Sequence, residues 1–96
     1  MAGVVVAQRA RTDLDQLIRT HSLPTDTPSR VRTSLQPLAS FPHIGKRLGG
    51  RWRGFRVIIG PWPWMLIVYV FDEQTNTVAI AAIHDTRSES SATSEA

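Results

Sequence analysis

The chain contains no cysteine, and this absence excludes several classes of site at once. Without thiols there is no disulfide framework, no thiolate nucleophile and no cysteine-ligated zinc or iron–sulfur centre. The three histidines, His21, His43 and His84, also lack the close spacing that most metal sites use. The composition therefore predicts a protein that works without a metal or another cofactor.

Long apolar runs are missing as well. The longest, 62–71, contains a proline and is about half of the roughly 20 residues that a membrane helix requires. The apolar stretch 3–7 has no preceding basic region, so we do not expect a signal peptide. We predict a cytoplasmic protein with one domain over residues 1–87. The following residues, 88–96, are only Ser, Glu, Ala and Thr, a composition typical of a disordered tail.

Carboxylates are absent from one half of the chain. No Asp or Glu lies between Thr27 and Phe71, whereas seven cations do: Arg30, Arg32, Lys46, Arg47, Arg51, Arg53 and Arg56. Because its charged side chains are all positive, this segment creates a local positive field that attracts polyanions or an acidic protein partner.

The apolar periodicity predicts an α+β fold. Val4–Val6 is a β-branched run suited to a short first strand. A helical stripe over about 8–21 follows, formed by Ala10, Leu14, Leu17 and Ile18. A second helix is predicted to begin at Thr27-Pro28, to bury Val31, Leu35 and Leu38, and to end or kink near Pro37. The two helices are expected to form a hairpin.

Three strand-like segments follow the helices, at 55–59, 64–71 and 78–84. Short turns between them predict an antiparallel meander. The middle segment is apolar on both faces, which favours a central position. We expect the helices to cover one of its faces, and a partner or the tail to cover the other.

Several positions recur in a fixed order along this pattern: Leu38, Phe41-Pro42, Gly45, Leu48-Gly49-Gly50, Gly54-Phe55-Arg56, Ile67-Val68-Tyr69, Phe71-Asp72-Glu73, Val78, and Ile83 to Arg87. Their order and spacing over Val4 to Arg87 resemble the RelE/ParE superfamily of type II toxin–antitoxin toxins. The resemblance implies a toxin that arrests growth and that a cognate antitoxin neutralises. RelE-like members are ribosome-dependent mRNA endonucleases that need no metal, and ParE-like members inhibit DNA gyrase.

The resemblance also places candidate functional residues. Arg56 stands at the family's first basic strand position, and His84 and Arg87 stand at the end of the last strand, where RelE-like toxins keep active-site residues. These three are the candidate catalytic set. However, Ile58 and Met65 occupy positions where RelE-like nucleases have further basic residues. The ending His84-x-x-Arg87 is closer to ParE-like members, so gyrase inhibition is favoured slightly over mRNA cleavage.

Cations and indoles near the middle of the chain are candidates for binding a nucleic acid or a partner: Lys46, Arg47, Arg51, Trp52, Arg53, Trp62 and Trp64. The alternation of Arg51 and Arg53 towards Arg56 puts them on one sheet face if the strand starts early. Such a face can bind phosphate, face the antitoxin or simply be solvated. The indoles can be core residues, or stack on bases, or bury a partner helix. A non-toxic basic binding module of the same fold is the remaining alternative.

Overall fold

The computed structural model describes residues 1–87, so the tail predicted at 88–96 lies outside the described residues. Strand β1 (Gly3–Val6) precedes helices α1 (Gln8–Thr20) and α2 (Thr27–Ser40). Strand β2 (Lys46–Arg47) and a 3₁₀ turn (Gly50–Trp52) lead into β3 (Arg56–Ile59), β4 (Met65–Asp72) and β5 (Thr77–Asp85). The predicted α+β class, with its first strand, two helices and meander, is confirmed. Neither helix of residues 1–87 is long and apolar enough to cross a membrane.

The sheet has the strand order β1-β5-β4-β3-β2. Strand β1 pairs in parallel with β5, and the other neighbours are antiparallel. Strand β4 is therefore central, as its apolar sequence predicts. The two-residue strand β2 is an addition that the sequence did not predict, because Lys46 and Arg47 are both charged and exposed.

Alternate residues of β4 face two different cores. Met65, Ile67 and Tyr69 pack with the helix residues Ala10, Val31, Leu35 and Leu38. On the opposite face, Leu66 and Val68 form a smaller cluster with Val57 and Ala82. We expected a partner or the tail to cover that second face. The chain itself covers it instead, with the side chains of Leu48, Trp52 and Phe55.

Helix α2 was predicted to end or kink near Pro37, and its end lies further along the chain. It continues to Ser40, with Pro37 inside its last turn. Pro37 lacks only its own amide donor, and its carbonyl still accepts from the Phe41 N–H at 2.8 Å. The next residue, Leu38, is fully buried in the core. Burial of a leucine stabilises by about 1.5–3 kcal/mol, which offsets much of the roughly 3 kcal/mol that a proline costs inside a helix.

An irregularity in β5 decides which side chains face the helices. Val68 pairs with Ala82 whereas Tyr69 pairs with Ile80, so Ala81 is an extra residue, a β-bulge. The bulge reverses the alternation of the strand beyond it. Ile83 therefore joins the helix-side core, and its N–H donates to the Asp13 carboxylate of α1 at 3.1 Å. His84 consequently turns to the opposite face.

Candidate functional site

The loop between α2 and β2 is held in place by one buried tyrosine. The Tyr69 hydroxyl donates to the Pro42 carbonyl at 2.9 Å and accepts from the Gly45 N–H at 2.8 Å. Burial raises the pKa of Tyr69, although the bond from Gly45 opposes the rise. A β-carbon on Gly45 would lie 2.6 Å from the Tyr69 hydroxyl oxygen, so only glycine fits there. The loop is thus a fixed part of the molecule.

Arg56 reinforces the same loop from β3. One of its terminal nitrogens, Nη1, donates to the carbonyl of Gly45 at 2.9 Å and to that of His43 at 3.1 Å. Part of the hydrogen-bonding capacity of this guanidinium is therefore already used. Its charge is not neutralised by these carbonyls, so it still contributes to the local field.

A basic cleft of about 370 Å³ opens beside this loop. The cleft is lined by three arginines, Arg47, Arg53 and Arg56. Arg47 on β2 is the direct cross-strand partner of Arg56 on β3. The apolar part of its wall comes from Leu48, Phe55 and Phe71, and His43 lies at its edge. Gly54, with φ of 89°, makes the turn that brings Arg53 next to Arg56. Cations beside aromatic rings suit an oxyanion carried on a planar or apolar group.

His84 is nearly fully buried, with 7% of its surface exposed. Its ring meets Trp52 edge to face at 5.7 Å, and its Nε2 atom has no hydrogen-bond partner among the described residues. Burial lowers the pKa of His84; the Asp13 charge opposes this shift, whereas Arg9 and Arg51 add to it. Burial therefore disfavours the charged form of this imidazole and shields most of it from solvent.

The end of β5 carries a second cluster of polar side chains. The Asp85 carboxylate accepts from Arg87 Nε at 3.1 Å, from Arg87 Nη2 at 2.9 Å and from the Arg87 backbone N–H at 2.8 Å. Its Oδ2 atom also lies 2.9 Å from His21 Nε2. The bonds from Arg87 hold the pKa of Asp85 well below its usual range, and the same pairing raises the pKa of Arg87. This cluster is a fixed charge pair with an imidazole beside it.

Aromatic rings extend this cluster along the surface. His21 stacks on Trp64 at 4.5 Å with 13° between the rings, and Trp64 stacks with Trp62 at 6.1 Å. The Arg30 guanidinium lies 5.7 Å from the Trp62 ring centre. The series joins α2, the turn before β4, α1 and the end of β5. Stacking of a base on Trp62 or Trp64 would have to compete with these contacts.

The family to which the chain belongs follows from comparison with known proteins. Residues 4–89 match the model of the ParE toxin of the type II toxin–antitoxin system parDE. The chain belongs to this family. Among curated proteins, no sequence matches it.

Solved structures share the fold of this ParE-family toxin. A chain of the intact RelBE toxin–antitoxin complex of E. coli superposes with a TM-score of 0.68 at 13% sequence identity. The match covers 92% of this protein and 100% of the E. coli chain. A chain of the RelBE2 toxin–antitoxin complex of Mycobacterium tuberculosis superposes with a TM-score of 0.61 at 22% sequence identity, and the match covers 88% of this protein and 96% of that chain. A metal-bound toxin of Helicobacter pylori superposes with a TM-score of 0.67 at 19% sequence identity, and the match covers 88% of this protein and 94% of that chain.

The toxin does not bring the three candidate catalytic residues together. Arg56 pairs with Tyr69 and His84 pairs with Leu66, so they lie three residues apart along β4 and two strands apart across it. These offsets each correspond to about 10 Å. Tyr69 faces the helices and Leu66 faces the opposite cluster, so Arg56 and His84 also face opposite sides of the sheet. Arg87 belongs to the Asp85 cluster.

The predicted binding residues separate into three places. Arg47 and Arg53 line the basic cleft, with Lys46 next to them on β2. Arg51 and Trp52 lie in the 3₁₀ turn, and Trp62 and Trp64 lie in the turn before β4. The arginines would share one sheet face only if the strand started early, and that condition is not met, because β3 begins at Arg56. His21 was not predicted as a site residue, since it is 64 residues from Asp85 in sequence and no motif joins them.

Proposed function

We propose that this toxin arrests growth by binding and inhibiting DNA gyrase, as the ParE-like branch of the superfamily does, and that a cognate antitoxin neutralises it. The match to a ParE model supports this branch. The observation that carries the proposal is the separation of Arg56 from His84 across the sheet. A nuclease needs its catalytic side chains together at one phosphate, whereas a protein that acts only by binding does not.

RNA cleavage by in-line attack of the 2′-hydroxyl needs a base, an acid and stabilising cations around one phosphate. His84 is nearly fully buried against Trp52, so little of its ring is open to such a phosphate. Arg87 is bound through two nitrogens to Asp85. These surroundings favour a surface that binds over a centre that reacts.

The alternative is a RelE-like mRNA endonuclease, and the basic cleft favours it. Arg47, Arg53 and Arg56 converge there beside two phenylalanine rings, and His43 lies at the edge as an exposed candidate base. In this case, cleavage would depend on His43 and the cleft arginines rather than on His84.

The deciding experiment measures both activities of the same purified toxin. We expect inhibition of gyrase supercoiling and trapped DNA breaks, with no cleavage of ribosome-bound mRNA. Arg87→Glu should reduce toxicity strongly and His84→Ala only mildly, since the Arg87 side chain is exposed and His84 is nearly fully buried. Codon-phased mRNA cuts that precede any defect in DNA synthesis would contradict the proposal. A loss of cleavage in the range of about 10²- to 10⁴-fold in His43→Ala would then establish the alternative.

The antitoxin is expected to cover the basic cleft with an acidic segment. Arg47 and Arg53 supply the charge, and the neighbouring side chains of Phe41 and Ile44, 64% and 61% exposed, supply an apolar contact. Charge reversal of Arg47 and Arg53 should slow association with the cognate antitoxin, and more so in low salt. Arg19→Glu, on the exposed end of α1, is the matched control. Equal association rates for both variants would refute this location.

A further inference from the structure

The end of helix α1 fixes the position of His21. His21 is the first residue after the helix, and its N–H donates to the Leu17 carbonyl at 3.0 Å. Ser22 follows with a left-handed φ of 51°, and the Leu23 N–H donates to the Ile18 carbonyl at 3.0 Å. The bond from Leu23 spans the left-handed Ser22 and is the 6→1 bond of a Schellman motif, whereas the bond from His21 is the last ordinary helical one. The backbone of His21 is thereby held in one place relative to the sheet.

Contacts from separate directions then fix its ring. Trp64 stacks on the imidazole, and the Thr20 hydroxyl oxygen lies 2.9 Å from Nδ1. The Trp64 backbone carbonyl also accepts from the Thr86 N–H at 2.8 Å, which holds the chain after β5 beside the same tryptophan. The imidazole and the segment 85–87 are thus attached to one common support.

Asp85 connects this support to Arg87. Its Oδ2 atom is 2.9 Å from both His21 Nε2 and Arg87 Nη2, and its Oδ1 atom accepts from Arg87 Nε. His21 Nε2 is itself only 3.3 Å from Arg87 Nη2. A guanidinium is planar, so two bonds on one edge orient the whole group. The Arg87 side chain is nevertheless 69% exposed, and no described residue accepts from its Nη1 atom.

We propose that His21 and Asp85 are positioning residues that orient Arg87, so that the exposed edge of its guanidinium binds an oxyanion of the toxin's target. His21 prevents the carboxylate from rotating away, and the carboxylate sets the plane of the guanidinium. Without them Arg87 would sample many rotamers, and binding would then cost the conformational entropy of fixing one of them. The identity of the target rests on the proposed function, but the orientation of Arg87 does not.

A double-mutant cycle tests whether His21 acts through Arg87. The readout is the concentration of toxin needed to inhibit gyrase supercoiling. His21→Ala and Asp85→Asn should each weaken inhibition by roughly tenfold, the value of one hydrogen bond to a charged group. In an Arg87→Ala background, His21→Ala should cause no further loss. Arg19→Ala, which removes an exposed cation from the same helix, is the control and should change nothing. Losses that simply add would overturn the proposal.

A second measurement uses the free toxin and is independent of gyrase. The Nε–Hε signal of Arg87 in an NMR spectrum should be resolved and protected from exchange in the wild type. It should move to the position of a solvated arginine in Asp85→Asn and exchange faster in His21→Ala, with His21→Gln restoring part of the protection. A signal that His21→Ala leaves unchanged would overturn the proposal, even if the variant lost activity. A protected signal in a toxin that does not inhibit gyrase would support the positioning and refute only the target.

Discussion

Replacing Gly45 by alanine tests how tightly the loop 42–45 is joined to the core. The new β-carbon would lie 2.6 Å from the Tyr69 hydroxyl oxygen and 2.7 Å from its ring carbon Cε1. Ordinary contacts between such atoms are 3.5–4.0 Å, so either the ring or the loop has to move by about 1 Å. Tyr69 is completely buried among core residues and has no free space into which to move. The loop must therefore shift instead.

The cost has two parts. Overpacking a core site costs about 1–3 kcal/mol. The shift also weakens the bond between the Gly45 N–H and the Tyr69 hydroxyl, which contributes about 1 kcal/mol. We therefore expect the free energy of unfolding to fall by about 2–4 kcal/mol, and the melting temperature to fall by on the order of 10–20 °C. Because Arg56 donates to the Gly45 carbonyl, the basic cleft should lose its shape as well.

Equilibrium unfolding in urea, followed by tryptophan fluorescence, measures this change. Gly49→Ala is the matched control, since Gly49 has an ordinary φ of −114° and a β-carbon there would meet nothing within 4 Å. If the two alanine variants differ in unfolding free energy by less than about 0.5 kcal/mol, the packing argument for Gly45 is wrong.

Three further changes have expected outcomes that unfolding experiments can check. Ser22→Gly should stabilise the toxin by roughly 1 kcal/mol, because Ser22 adopts a left-handed φ of 51° that glycine adopts without strain; no gain would mean that the serine pays no such cost. Ala7→Ser should raise the free energy of unfolding by about 0.5–1 kcal/mol, because Ala7 is the N-cap residue of α1 and makes no side-chain cap hydrogen bond. An equal gain from Ala7→Val would show that capping is not the cause. Burial lowers the pKa of His84, so the unfolded chain binds a proton first and stability should fall as the pH drops below about 6.5. His84→Gln should flatten that slope below about pH 6.5.

The elements that sequence reasoning predicted correctly are those with a strong local pattern. The stripe that includes Ala10 and Leu14 shows helical spacing, and the residues of β4 are apolar on both faces. Burial in the folded protein follows the same periods. Local pattern was therefore sufficient for the helices, for the meander and for the central position of β4.

The features that it missed depend on contacts between distant parts of the chain. The extra residue Ala81 in β5 lies in an apolar run with no glycine or proline to mark a bulge, yet it decides that His84 faces Trp52. Pro37 was expected to end or kink α2, whereas the helix continues to Ser40. Local sequence does not show this, because the burial of Leu38 depends on tertiary contacts. The Arg87 site depends on His21, a residue from another element that no motif connects to Asp85.

The parallel pairing of β1 with β5 has a consequence for how the toxin is made. The first strand, Gly3–Val6, has its only strand partner among the described residues in Thr77–Ile80. On the ribosome, the first strand must therefore wait while the intervening chain is synthesised, on the order of 10 s at ordinary translation rates. During that interval α1 and α2 have no completed sheet to cover. Each newly made molecule thus completes its sheet only after almost all of residues 1–87 have left the ribosome.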